Sequence, residues 1–112
     1  MRANKIFTPN KNVQTFGDNA VLKLIGLPEK EEANELIQLM ADRLHNLAPS
    51  DARLVIEIES EGDFYYGLCK VRATHLNLDI KSYARTPLQA MKILERKTKL
   101  QIDLWKRQRK FS

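Results

Sequence analysis

From Pro87 to Lys110 the chain contains no glycine and no second proline, and this stretch limits the possible folds more than any other. Thr86 has the chemistry of a helix cap and Pro87 suits a first helical turn. A helix from Pro87 to Lys110 would be about 36 Å long at about 1.5 Å per residue. Stepping about 100° per residue places Leu88, Met91, Leu94, Thr98, Ile102 and Trp105 on one arc, which Ile93, Leu100 and Leu104 widen. Lys92, Arg96, Lys99, Lys106, Arg107 and Lys110 gather on the opposite side, with only Glu95 and Asp103 near them. Such a helix docks by one side and offers positive charge with the other.

A charged helix face is ordinarily just a solvated one, so the distribution of charge decides its meaning. The 112 residues carry a net charge of +5. From Arg85 onward there are nine Lys or Arg residues against Glu95 and Asp103, a local charge of +7, which leaves −2 for the rest of the chain. Positive charge segregated in this way fits a phosphate-rich partner, nucleic acid or an anionic membrane. A membrane is the weaker choice. No run approaches about 18 apolar residues, and Met1, Arg2, Ala3, Asn4 and Lys5 lead into no signal-peptide core. The single cysteine, Cys69, permits no internal disulfide and fits a reducing, cytoplasmic setting. The length suits one domain with one core, and 43% hydrophobic with 29% charged residues is the composition of a soluble globular protein.

Residues 1–19 read as a partly mobile lead segment, because Asn4, Pro9, Asn10, Asn12, Gly17 and Asn19 interrupt any periodic pattern; Ile6, Phe7, Val13 and Phe16 are its local anchors. The domain is expected over residues 20–112. Ala20 to Ile25 forms a short strand with Leu22 and Leu24 on one side. Pro28 opens a helix to about Leu47, with Glu29, Glu31 and Glu32 in the first turn, where the helix dipole favours negative charge. Ala33, Leu36, Ile37, Met40, Leu44 and Leu47 make its apolar stripe. Arg53 to Glu59 is a half-buried strand with Leu54, Ile56 and Ile58 inward. Ser60 to Asp63 turn the chain into a second strand, Phe64 to Arg72. Placing Leu68 inward would carry Lys70 and Arg72 into the core, so Tyr65, Gly67, Cys69 and Val71 form its inner row. After Ala73, Thr74 and His75, Leu76, Leu78 and Ile80 alternate with Asn77, Asp79 and Lys81 in a third strand of this run. The order predicts an α+β, β-α-β-β-β-α two-layer sandwich, with both helices on one face of a four-stranded sheet. Gly67 and Cys69 would let a helix approach closely.

Catalytic patterns are scarce. His45 and His75 have no cysteine or acidic residue at metal-ligand spacing. Cys69, on an inner strand row, fits a small core residue better than a nucleophile. Glu57 and Glu59 are neighbours on an outward face without a histidine or metal partner, and scattered glycines build no phosphate-cradling loop. The expectation is a protein that binds and does not catalyse, with no metal and no other cofactor, and no small-molecule substrate. Lys92 and Lys110 lie about 27 Å apart along the helix axis, enough to touch several phosphates. Lys70, Arg72, Lys81 and Arg85 extend that field from the sheet rim. Phe64 and Tyr66, on the outward row, are candidates for stacking on bases, although surface aromatics beside a hairpin are common. The expected mode is backbone and shape recognition of folded RNA. Two other readings remain open: a general double-stranded or structured RNA-binding module, and a protein-interaction domain whose basic helix meets an acidic partner.

Residues 20–110 resemble the ribosome hibernation-promoting factor and ribosome-associated inhibitor family, in its short form, also labelled the sigma-54 modulation family. The resemblance is carried by Glu35 to Leu47, including Ala41, Asp42, Arg43 and Leu44. It is carried also by Tyr65, Gly67, Cys69 and Val71 at alternate positions, and by Thr86 to Met91 before the long basic helix. Ala90 and Met91 match the family's alanine-isoleucine pair in type, and Lys97 and Gln101 fall on family-like polar positions. Thr86 stands where the family has aspartate and Leu88 where it has tyrosine. Leu94, Glu95, Arg96 and Lys97 correspond to a family run that falls about one helical turn later. The resemblance implies a factor that binds the small ribosomal subunit and its RNA at the decoding channel; its oligomeric state is open, with a monomer favoured. It would silence idle ribosomes sterically, with its basic helix, including Lys97, against the RNA.

Overall fold

Each apolar alternation in the sequence becomes a strand row, and both long periodic segments become helices, in the computed structural model, which describes residues 11–17, 19–27 and 31–110. The elements are β1 (Lys11–Thr15), β2 (Ala20–Ile25), α1 (Glu31–Leu47), β3 (Arg53–Glu61), β4 (Phe64–Ala73), β5 (Leu76–Ala84) and α2 (Pro87–Lys110). They form one five-stranded sheet in the order β1-β2-β3-β4-β5. Only β2 and β3 are parallel, joined by the crossover through α1; every other neighbour is antiparallel. The α+β class and the helices on one face stand. Among the described residues the expected four strands are corrected to five and the order to β-β-α-β-β-β-α, because β1 lies within the segment read as a lead. Ile6, Phe7 and Pro28 lie outside the described residues.

The register aligns the inner rows. Leu22, Ile56, Cys69 and Ile80 lie abreast across β2 to β5, with Ala20, Leu54, Val71 and Leu78 on one side of them. Leu24, Ile58, Gly67 and Ser82 make the third row. Ile37, Met40, Ala41 and Leu44 of α1 and Ala90, Met91, Leu94 and Ile102 of α2 close over these rows in one core. Burying each large aliphatic side chain is worth about 1.5–3 kcal/mol relative to exposure. Leu36, Leu100 and Leu104, expected on apolar arcs, are exposed instead, and Ala41 is buried. Leu100 and Leu104 sit more than about 100° round the helix from the centre of the buried arc, beyond the reach of a flat sheet.

Local chemistry fixes the connections. Thr86 Oγ1 accepts the Gln89 backbone N–H at 3.1 Å, and the Thr86 carbonyl accepts from Ala90 N at 3.0 Å, so Thr86 caps α2. The β3–β4 turn has Gly62 at φ 64°, a conformation that suits glycine at the first position of a two-residue hairpin loop. The β4–β5 turn, Thr74-His75, contains no glycine. The Asp51 carboxylate holds it from the α1–β3 loop, accepting from Thr74 N at 2.9 Å and Thr74 Oγ1 at 2.7 Å. Those two bonds hold the Asp51 carboxyl below its ordinary pKa.

The close approach of α2 to the sheet depends on Gly67. A methyl group there would collide with the Ser82 hydroxyl, which donates to the Ala90 carbonyl at 2.9 Å and ties the first turns of α2 to β5. Cys69 packs below, where burial pushes its thiol up to about 11 and the Thr98 hydroxyl beside it partly opposes the shift.

Candidate nucleic-acid interface

The two helices run side by side on the sheet and are pinned by an ion pair. Arg43 of α1 donates from Nε to Glu95 Oε2 at 2.8 Å and from Nη2 to Oε1 at 2.9 Å, a two-pronged contact that raises the Arg43 pKa. The Arg43 side chain is 63% exposed and that of Glu95 20%, so solvent screens the pair and its main effect is geometric. It holds Glu95, the one carboxylate among the described residues that line the groove between the helices, against an arginine. The other residues lining this groove of about 620 Å³ are Asn46, Leu47, Lys92, Arg96 and Lys99. Four cations thus surround one neutralised carboxylate, leaving a formal local charge of +3.

Structure separates the sequence-predicted site residues into groups. Lys92, Arg96 and Lys99 come together on the α1 side of α2, all exposed. Lys106 and Arg107 are exposed near the end of the helix, and Lys106 lines a second groove with Trp105 and the loops holding Asp51 and Thr74. Lys97 points the other way, towards the open edge of the sheet, where its Nζ donates to the Lys81 carbonyl at 3.1 Å. Lys70 and Lys81 are exposed on the face of the sheet opposite the helices. Arg72 is engaged within its own hairpin, donating to Asp79 Oδ1 at 2.8 Å and to the Leu78 and Val71 carbonyls at 2.9 and 3.1 Å. Arg85 lies over the Phe64 ring, 5.4 Å from its centroid. The side chain of Lys110 lies outside the described residues.

Two contributors were not singled out from the sequence. Arg43 sits beside the apolar stripe of α1, and only the parallel course of the helices brings it to the groove. Tyr83 lies two residues beyond the last alternating position read in β5, and continuing that alternation would have found it. Among the described residues no cluster of His, Cys, Asp and Glu could hold a metal ion, and no helix is long and apolar enough to cross a membrane.

No protein-family model matches the chain and no curated protein matches its sequence. Among solved structures, it is similar to a ribosomal subunit interface protein from Coxiella burnetii. That match has a TM-score of 0.58 and 14% sequence identity, covering 74% of this chain and 91% of the other. At that identity the likeness is one of fold: helices laid on one face of a mostly antiparallel sheet.

Proposed function

We propose that this chain is a non-enzymatic, cytoplasmic ribosome-associated factor. It binds small-subunit ribosomal RNA near the decoding channel and inhibits translation by occupying that space. It acts as a monomer and needs no cofactor. The observation that carries this reading is the grouping of Lys92, Arg96 and Lys99 with Arg43 around a groove whose carboxylate is already paired. The fold it shares with a protein named for the ribosomal subunit interface supports the choice of RNA.

The mechanism is electrostatic and steric. Cations on a rigid helix, docked at Gly67 and pinned at Glu95, form a preset array for successive phosphates and lose little freedom on binding. Each phosphate neutralised releases counterions, so affinity falls steeply with salt. The test is the joint change of Lys92, Arg96 and Lys99 to Glu, measured as affinity for purified small subunits. The variant is expected to fold, since all three side chains are exposed, and to lose binding. Unchanged affinity would show that this face is not the interface.

A further inference from the structure

Phe64, Tyr66 and Tyr83 stand together on the sheet face opposite the two helices. The β4–β5 register sets Tyr66 directly across from Tyr83, and Phe64 lies two residues away on the same face of β4. The Phe64 and Tyr83 rings are parallel, with centroids 5.4 Å and planes 5° apart, and Tyr66 meets Tyr83 edge-on at 6.3 Å. Arg85 lies over Phe64. Even with two aromatic neighbours, Tyr83 remains 53% exposed. These rings are held in place by each other, and a large apolar surface is left facing solvent.

The chemistry beside the rings points to one kind of occupant. A groove of about 430 Å³ is lined by Tyr66, Tyr83, Lys81, Lys97, Ser82 and Glu61. Lys97 comes from α2 and its Nζ is held there by its bond to the Lys81 carbonyl, so lysines from two different elements line the aromatic edge together with the Glu61 carboxylate, a formal local charge of +1. Two lysines against one carboxylate beside exposed rings suit an anion joined to a flat apolar group. A nucleotide has both, since every base has a face that stacks on an aromatic ring and every phosphate a charge for lysine.

We propose that this shelf is a stacking site for one unpaired RNA base, with Lys81 and Lys97 holding the adjoining phosphates. The inference rests on the RNA-binding reading above and extends it: the groove between the helices takes backbone charge, and the sheet face takes a base. Tyr83 offers the stacking surface and Phe64, under Arg85, backs it. Glu61 can accept from an exocyclic amino group, which favours adenine over uracil.

The test compares an adenosine hexanucleotide with an abasic hexanucleotide of the same charge, using wild-type protein and the Tyr83→Ala and Tyr83→Trp variants. The wild type should bind the adenosine form about tenfold tighter or more. Tyr83→Ala should erase that preference and Tyr83→Trp should keep it. Equal affinity for the two oligonucleotides, or a preference that survives Tyr83→Ala, overturns the proposal. If the wild type shows no base preference yet binds small subunits, the shelf is refuted and the helix reading stands. Binding to neither hexanucleotide nor subunit would sink both.

Discussion

Replacing Gly67 with Ala tests whether α2, and the basic face it carries, is positioned by the close contact with β4. The added methyl would collide with the Ser82 hydroxyl and would lie 2.9 Å from Leu94 Cδ1 and 3.1 Å from Leu94 Cγ. Leu94 is fully buried and has little room to turn. If Ser82 rotates away, it gives up its 2.9 Å bond to Ala90 and leaves a buried hydroxyl unsatisfied, at about 1–3 kcal/mol. If α2 lifts instead, overpacking costs a similar amount, about 1–3 kcal/mol. Some of each gives a loss of about 2–4 kcal/mol, a large part of the about 5–15 kcal/mol typical of a domain. At about 4 °C per kcal/mol, Tm should fall by about 8–16 °C in a thermal melt followed by circular dichroism. The Ser82→Ala change removes the colliding oxygen. Alone it should cost about 0.5–1.5 kcal/mol, and combined with Gly67→Ala it should recover stability relative to Gly67→Ala alone. A Gly67→Ala protein melting within about 2 °C of wild type, or a double variant losing the sum of both effects, would refute the close-contact argument.

Thr98 Oγ1 is buried beside the Cys69 thiol with no oxygen or nitrogen partner among the described residues; a thiol is a weak partner, so Thr98→Val should leave stability unchanged or raise it by up to about 1 kcal/mol in a urea titration. Cys69, with its thiol pushed up to about 11 by burial, should resist thiol reagents at pH 8 until the protein unfolds. Because its folded pKa lies above the unfolded value of 9.0, its contribution is fully present below pH 9 and is lost as pH rises through about 11. Stability of the wild type should therefore fall over that window, and that of Cys69→Ala should fall less. Asp51 has the opposite sign. Its folded pKa is depressed by the Thr74 bonds below 3.8, so its contribution is present above that value and is lost as pH falls through the folded one. Asp51→Asn should flatten the acid side of a Tm-against-pH profile.

What the sequence made legible followed from conflicts it could resolve. The β4 register was readable because the alternative would have buried Lys70 and Arg72, and the observed inner row is Gly67, Cys69 and Val71 beside a half-buried Tyr65. The docking side of α2 was readable from Met91, Leu94, Thr98 and Ile102. Strand β1 was not, for a physical reason. Its register places Asn12 and Gln14 on the helix side, where Gln38 Nε2 donates to Gln14 Oε1, and leaves Val13 52% exposed. An edge strand held by backbone pairing and a side-chain amide has no apolar alternation to read. The basic face of α2 was visible as a face, and Lys97, brought in by the resemblance, lay off it; where each side lands was not visible. Lys92, Arg96 and Lys99 turn towards α1 while Lys97 turns to the β5 edge, and that depends on how the helix is rolled on the sheet. The aromatic shelf was half visible: Phe64 and Tyr66 were outward, and their partner Tyr83 needed the pairing of β4 with β5.

Ribosomal binding is tested most directly by sedimentation of the wild-type protein through a sucrose gradient with purified small ribosomal subunits at low and at raised salt. Binding through phosphates predicts co-migration with the subunit at low salt, progressively lost as salt competes for the phosphates. Protein that stays at the top of the gradient at low salt would contradict it.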